Sequence, residues 1–544
     1  MSSYRTPKPA LNASSPRILV VGRIFGGSGW NPPHWAEAMV IQSGRIRAVG
    51  PLAELDAYPG INHRIDYKDA LILPGLGDAH LHLAAGGRAL GMVDLGGKRG
   101  EAIVRLLSER GRQSAADNAG WVEAFNWDSA LADLDAQKLD SICADLPVLI
   151  HKRDLHGCCC NNLALRRAGI TAATLDPESG RLGRDPQGLP NGLLFESAVG
   201  LVRDLVPEPS LENQRRFILR AQEYLMGLGL TAVSEVLETA TEDIYRRLDE
   251  SSEIKLFVDG WRRYENWDQE SPPDTAGHNF RVNTLKLFLD GAFGSETAAL
   301  EHPYLSNSAN KGMLFWRDQE LHEALLKGAA KGWNLALHAL GDRAVRQAFR
   351  VVEPIAEQFP QTRFRFEHLQ LIPENLFISE YFRERRLQSA VTTKVVTPGW
   401  NLIASVQPVH LLDDQAWLPD RIGVERCSRA FIWKSWLDHG IPLAFGSDWP
   451  VASPDPRLNL HVAINRQNYA GTIHPAFASD ENLAPSWAIR ATSWGWAVAA
   501  GLTTVRGSIT PGQRAAFTIV ENGDQDLRDW SQIRLKSQIW DRDE

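Results

Sequence analysis

Eight short apolar runs, each stopped by turn or polar residues and separated by stretches of helical periodicity, constrain the middle of this chain more than any other feature. They read as strands: Leu71 to Asp78, GLTAVSEV from Gly229, IKLFVDGW from Ile254, TLKLFLDG from Thr284, then NLALHAL, RFRFEHL, NLIASVQP and IPLAFGSD. After the fifth, DRAVRQAFRVVEPIAEQF puts Ala344, Val345, Ala348, Phe349 and Val352 on one helical face. Strands alternating with helices call for a parallel sheet. Eight such units predict an α/β fold built on a (β/α)8 TIM-like barrel, whose reactive end is the carboxyl end of its strands.

The two ends of the chain have another texture. ILVVGRIF, AMVIQSGRIRAVG and INHRIDYKDALILP near the start, and GSITPGQRAAFTIV and SQIRLKSQIW near the close, show β-branched alternation broken by Gly, Asn and Pro. They predict one small composite β-sandwich from residues 16–70 and 500–544, after a polar, flexible leader over 1–15. The barrel then takes 71–84 and 211–499. Strands one and two lie roughly 140 residues apart, far more than a connection needs. With WVEAFNWD and LPVLIHKRD reading as strands and AIVRLLSERGRQSA as a helix, residues 85–210 are expected to form an inserted α/β subdomain over the barrel mouth.

Composition narrows the partners. A net charge of −8 with no basic tract argues against nucleic acid. No apolar run reaches the roughly 18 residues of a membrane span. The leader lacks the apolar stretch of a secretion signal. Five cysteines (143, 158, 159, 160 and 427) form no spaced disulfide framework, so a cytoplasmic, reducing setting is expected.

Four polar fragments close four of the strands: His80-Leu-His82, Leu337-His338-Ala339, Glu367-His368-Leu369 and Gly446-Ser447-Asp448. Residues i and i+2 of a strand point the same way, so His80 and His82 can offer two imidazoles to one point. Alone, such a pair reads equally well as two histidines bonded to backbone. With two more imidazoles and a carboxylate at matching strand ends, the set reads as ligands of a borderline divalent metal such as zinc.

The segments LPGLGDAHLHL, LKLFLDGAFGSETAAL, LHALGDRAV, FEHLQ, SVQPVH and FGSDWPV, with FNWD, PVLIHKRDLHGCCCNNLAL and GLLFESA in the insert, resemble the amidohydrolase superfamily, and within it the YtcJ-like branch that holds the N-substituted formamide deformylases. The resemblance runs nearly end to end. It implies one or two divalent metals, expected to be Zn2+, and hydrolysis of a non-peptide carbon–nitrogen bond in a small molecule. It assigns His80 and His82 to a first metal and His338 and His368 to a second. Asp448 becomes ligand and proton shuttle, and Lys286 the position that related enzymes carboxylate to bridge the two metals. Relatives often pair, so a homodimer is an open expectation. Three places depart from the family's pattern. Arg514-Ala515-Ala516-Phe517 lacks an aspartate, Glu296 brings a negative charge into the turn Gly294 to Ala298, and Leu155 stands between Asp154 and His156 where a glycine is usual.

Several residues keep more than one reading. Lys286 in an apolar run favours the neutral amine, which a carbamate or a Schiff base requires, but a partner at Asp290 or a reach to solvent also fits. Asp448 could instead cap a helix. His156 and His410 are candidates for substrate contact or plain hydrogen-bonding histidines, and Glu196 for a substrate contact, a loop anchor or a solvated carboxylate. Cys158, Cys159 and Cys160 alternate in direction and suit core packing better than one shared ion. Two rival functions stand beside the hydrolase: a silent relative that binds metal or ligand without turnover, and a lyase using Lys286.

Overall fold

The computed structural model describes residues 15–540 apart from 27–28, 30, 117–119, 128–131, 153–155, 179, 208, 239–240, 377–400, 479 and 522–526. The leader expected at 1–15, except Ser15, and the Asp154-Leu155 departure lie outside the described residues.

The eight predicted strands form one parallel sheet wound in chain order: β1 (Leu76–Leu81), β2 (Leu230–Val236), β3 (Phe257–Arg263), β4 (Phe280–Phe288), β5 (Asn334–Ala339), β6 (Phe364–His368), β7 (Leu402–Val406) and β8 (Leu443–Phe445). Every residue of β1, β2, β5, β6 and β7 is buried, as parallel strands covered on both faces require. No ladder joins β8 to β1, but the gap closes just beyond it. The backbone N–H groups of Ser447 and Asp448 both donate to the His80 carbonyl, at 3.2 and 2.7 Å. The helix Asp342–Gln358 buries Ala344, Val345, Ala348, Phe349 and Val352 as its periodicity predicts, and Phe349 stacks on Phe366 of β6 at 4.1 Å.

The first apolar run divides where a single strand was expected. Leu71 to Pro74 end a long strand, Ile61–Pro74, that pairs with residues 517–520. β1 begins only at Leu76, whose N–H donates to Thr518 Oγ1 at 3.0 Å. The chain thus steps from one sheet into the next without a loop, a change of partner that apolar content cannot report.

Both chain ends build that second sheet, ordered 534–539, 516–521, 61–74, 17–26, 34–42, 45–50. Its central strand alternates, with Ile18, Val20 and Ile24 packed on one side and Leu19 and Val21 on the other. Between β1 and β2 the inserted segment forms a third, mixed sheet ordered 180–184, 190–196, 157–160, 148–152, 122–127, 93–94. Within it Cys158 and Cys160 enter one apolar cluster and Cys159 another, all as free thiols. The triple cysteine is core. No helix among the described residues is long and apolar enough to cross a membrane.

Candidate metal centre

Strand ends deliver the polar fragments to one place. His80 lies on β1 and His82 one residue beyond it; Lys286 lies on β4, His338 on β5, His368 at the end of β6, and Asp448 three residues past β8. Asp448 Oδ1 lies 3.2 Å from His82 Nε2 and 3.6 Å from His80 Nε2. One ligand atom from each of His80, His82 and Asp448 falls within 4.8 Å of the others. The His80 and His368 rings are 4.9 Å apart, those of His368 and His338 4.5 Å, and Lys286 Nζ is 3.5 Å from His80 Nε2. All six side chains expected of the site meet. Asp448 caps no helix; Asp455 does that for Pro456–Asn465.

Three of the imidazoles are oriented by acceptors behind them. His80 Nδ1 donates to Glu367 Oε2 at 2.7 Å, His338 Nε2 to the Gly291 carbonyl at 3.1 Å, and His368 Nδ1 to Gln407 Oε1 at 2.9 Å. Carbonyl and carboxylate oxygens only accept, so in the neutral ring the second nitrogen keeps its lone pair, the arrangement seen where histidines bind metal. Burial also favours the neutral ring. It pushes His80 down to about 4, helped by Lys286, and holds His338 and His368 well below the usual imidazole range. Burial raises the Asp448 carboxyl, but the surrounding imidazoles outweigh it and keep the group well below its ordinary value, hence ionised. Imidazole nitrogens around an ionised carboxylate fit a divalent cation.

Beneath this set lies a buried polar layer. Arg365 has no exposed surface. Its Nε donates to Glu367 Oε1 at 3.0 Å, another N–H to Ser405 Oγ at 3.1 Å, and its guanidinium stacks 4.1 Å over the Trp261 ring. Burial would raise the Glu367 carboxyl, yet Arg365 and His80 pull it to about 2. Asp78 accepts from His80 N–H and Ser447 N–H, both at 3.0 Å, and ties β1 to the loop after β8. Lys286 is fully buried beside the Trp261 and Phe288 rings, and burial lowers its ammonium to about 8 against the pull of Glu367 and Asp448. Asp290 instead accepts backbone N–H groups from Ala299, Leu340 and Gly341.

A cavity of about 140 Å³ opens above, bounded by His338, His368, His410 and Asp448. The insert contributes Trp127, Lys152 and His156 to its wall. His156 stands 5.8 Å from His338, ring to ring, and its Nδ1 donates to Glu196 Oε2 at 2.9 Å. Glu196 is off the wall; it stands behind His156 and also accepts from Thr297 Oγ1. His410 Nε2 donates to the Ser447 carbonyl at 3.2 Å, and Gln370 Nε2 donates to its Nδ1 at 3.2 Å. Sequence reasoning passed over Asp78, Arg365, Trp261, Gln370 and Gln407. For two of them a signal existed: Asp78 precedes His80 by one strand repeat, and Arg365 is a charge inside an apolar run.

The sequence model of the amidohydrolase family matches residues 64–536. The chain belongs to that family. It is similar to the Protein LONG AFTER FAR-RED 3 of Arabidopsis thaliana, 28% identical over 96% of this chain and 90% of that one. It is similar also to the putative amidohydrolase YtcJ of Bacillus subtilis, 28% identical over 92% of this chain and 93% of the relative. The N-substituted formamide deformylase of Arthrobacter pascens is 23% identical over 89% and 90%. These matches bear out the resemblance to the YtcJ-like, deformylase-like branch. The fold is shared with an uncharacterized metal-dependent hydrolase of Pyrococcus horikoshii OT3, with a TM-score of 0.72, 24% identity and coverage of 94% and 98%. The chain is a hydrolase of the amidohydrolase family.

Proposed function

We propose that this chain hydrolyses an amide-type, non-peptide carbon–nitrogen bond of a small molecule with the help of a divalent metal, zinc by preference. The observation that carries the reading is the convergence of His80, His82 and Asp448 at the carboxyl end of the barrel, with His338, His368 and Lys286 against them. His80, His82 and Asp448 would hold one ion, and His338 and His368 a second. Burial that disfavours the Lys286 ammonium supports its carboxylation as the anionic bridge. A bound ion would supply Lewis-acid polarisation of the amide carbonyl and a more acidic water.

The side chains do the rest. The Asp448 carboxylate takes the proton of the attacking water and returns it to the departing amine nitrogen. Glu367 and Gln407 fix the rings of His80 and His368. His156, held by Glu196, and His410 face the cavity where the substrate sits. The inserted unit reaches the cavity wall and keeps the site compact, which suits small amides and not proteins. The free thiols support a reducing, cytoplasmic setting.

The test is elemental analysis of protein purified without chelators, joined to a hydrolysis screen over small amides. Bound metal, loss of activity with a chelator and recovery with zinc are expected. Protein that binds no metal and gains no activity from it would overturn the reading, and borohydride trapping of Lys286 with a carbonyl compound would replace it by the lyase.

A further inference from the structure

Resting on the amide-hydrolase reading, we propose that the cavity takes amides bearing a flat, apolar, uncharged substituent, and that the Glu296–Arg421 pair turns carboxylate-bearing amides away. Three aromatic rings reach the cavity wall from three separate parts of the chain: Trp127 from the insert, Phe293 from the loop after β4, and Trp417 from the segment after β7. Rigid aromatic walls favour flat apolar groups, which they desolvate and stack against.

The charges around the same cavity do not favour an anion. Arg421 lies on the wall with its guanidinium 5.2 Å from the Trp417 ring centre, a placement that would ordinarily grip a carboxylate. That role is already filled: Arg421 Nη1 donates to Glu296 Oε1 at 3.0 Å. Glu296 is itself anchored, because Ser306 Oγ donates to its other oxygen at 2.8 Å. The second cation on the wall, Lys152, points to the same turn, with Nζ 3.5 Å from the Gly294 carbonyl. Asp413 and Asp414 also line the cavity. An entering carboxylate would lose its water and, to reach Arg421, have to displace Glu296 from a partly buried ion pair. A neutral aryl group meets none of these penalties.

The experiment uses the metal-loaded enzyme and a matched series of anilides carrying methyl, carboxylate or trimethylammonium at the para position. Wild-type kcat/KM is expected to favour methyl over carboxylate by about tenfold or more, the size of effect that one opposed charge produces. Glu296→Gln frees Arg421 and is expected to narrow that ratio by about tenfold, chiefly through the KM of the carboxylated compound. A wild type that turns over the carboxylated anilide as well as the methyl one overturns the proposal. So does a folded Glu296→Gln enzyme whose ratio is unchanged. Should the variant not fold, the wild-type ratio decides. Calorimetric binding of the matching aryl ureas reads the same preference without turnover. Ureas bound in this order with no anilide hydrolysed would uphold the cavity and sink the hydrolase reading. Anilides hydrolysed without regard to charge would do the reverse.

Discussion

The Asp448 N–H donates to the His80 carbonyl at 2.7 Å while its carboxylate lies 3.6 Å from the His80 imidazole. This residue pair therefore both helps to close the barrel and builds the centre of the proposed site. The backbone bond holds the loop after β8 against β1, and the side chains use that proximity. Structural closure and ligand geometry cannot be varied independently here.

Asp448→Asn keeps the shape but removes the proton acceptor. A fall in kcat of about 10²–10⁴-fold is expected, with some loss of bound metal and of thermal stability because Asp448 is also a proposed ligand and is held ionised in the fold. Kinetics on the best amide from the screen, beside a melting curve, checks it. A variant that retains most of its activity would take the proton-shuttle role from Asp448.

Glu367→Gln replaces the anion behind His80 by a neutral amide. Loss of such a partner weakens metal binding by about 10–100-fold. Chelator competition followed by metal analysis reads this directly. The change also leaves the buried Arg365 without its counter-charge, so a stability loss of about 3–5 kcal/mol is expected in the apo protein as well.

Gly446→Ala tests the closure itself. A Cβ at that position would meet the His80 backbone nitrogen at 2.6 Å and the His80 Cβ at 2.8 Å. Neither can move without shifting a ligand. Reduced metal content is expected even though no donor atom is lost, and full metal occupancy in the variant would show that β8 and β1 can separate harmlessly.

The pH dependence of stability has a named source. Glu235 is buried on β2, and burial pushes its carboxyl from 4.5 up to about 8, outweighing the N–H groups of Leu83 and Ala84 that it accepts. Between those values the unfolded chain has released a proton that the folded chain still holds. Its contribution is fully present below 4.5 and is lost as pH rises through about 8. Melting curves across that window should show wild type losing stability more steeply than Glu235→Gln. Parallel curves would mean that Glu235 is ionised in the fold.

Much of this molecule was legible in advance, for local reasons. A strand buried on both faces must be apolar throughout, so the eight runs stood out. A polar residue at the end of such a run has few structural excuses, which marked His80, His82, His338, His368 and Asp448. The helix at 342–358 announced its inner face by period alone. Other features had no local signature. Leu71 to Pro74 is as apolar as β1, and only pairing with residues 517–520 assigns it to another sheet. Glu367 stood beside His368 in the sequence, yet its partner is His80, 287 residues away in the chain.

The order of strands and helices and the identity of the donor side chains were written in the chain itself, because period and burial act over a few residues. Which donor faces which, where Arg421 finds Glu296, and how the insert brings Trp127 and His156 to the cavity were decided by tertiary packing. Those relationships join residues from distant strands and loops. Their energies depend on shared burial and distance, and neither exists until the barrel has closed.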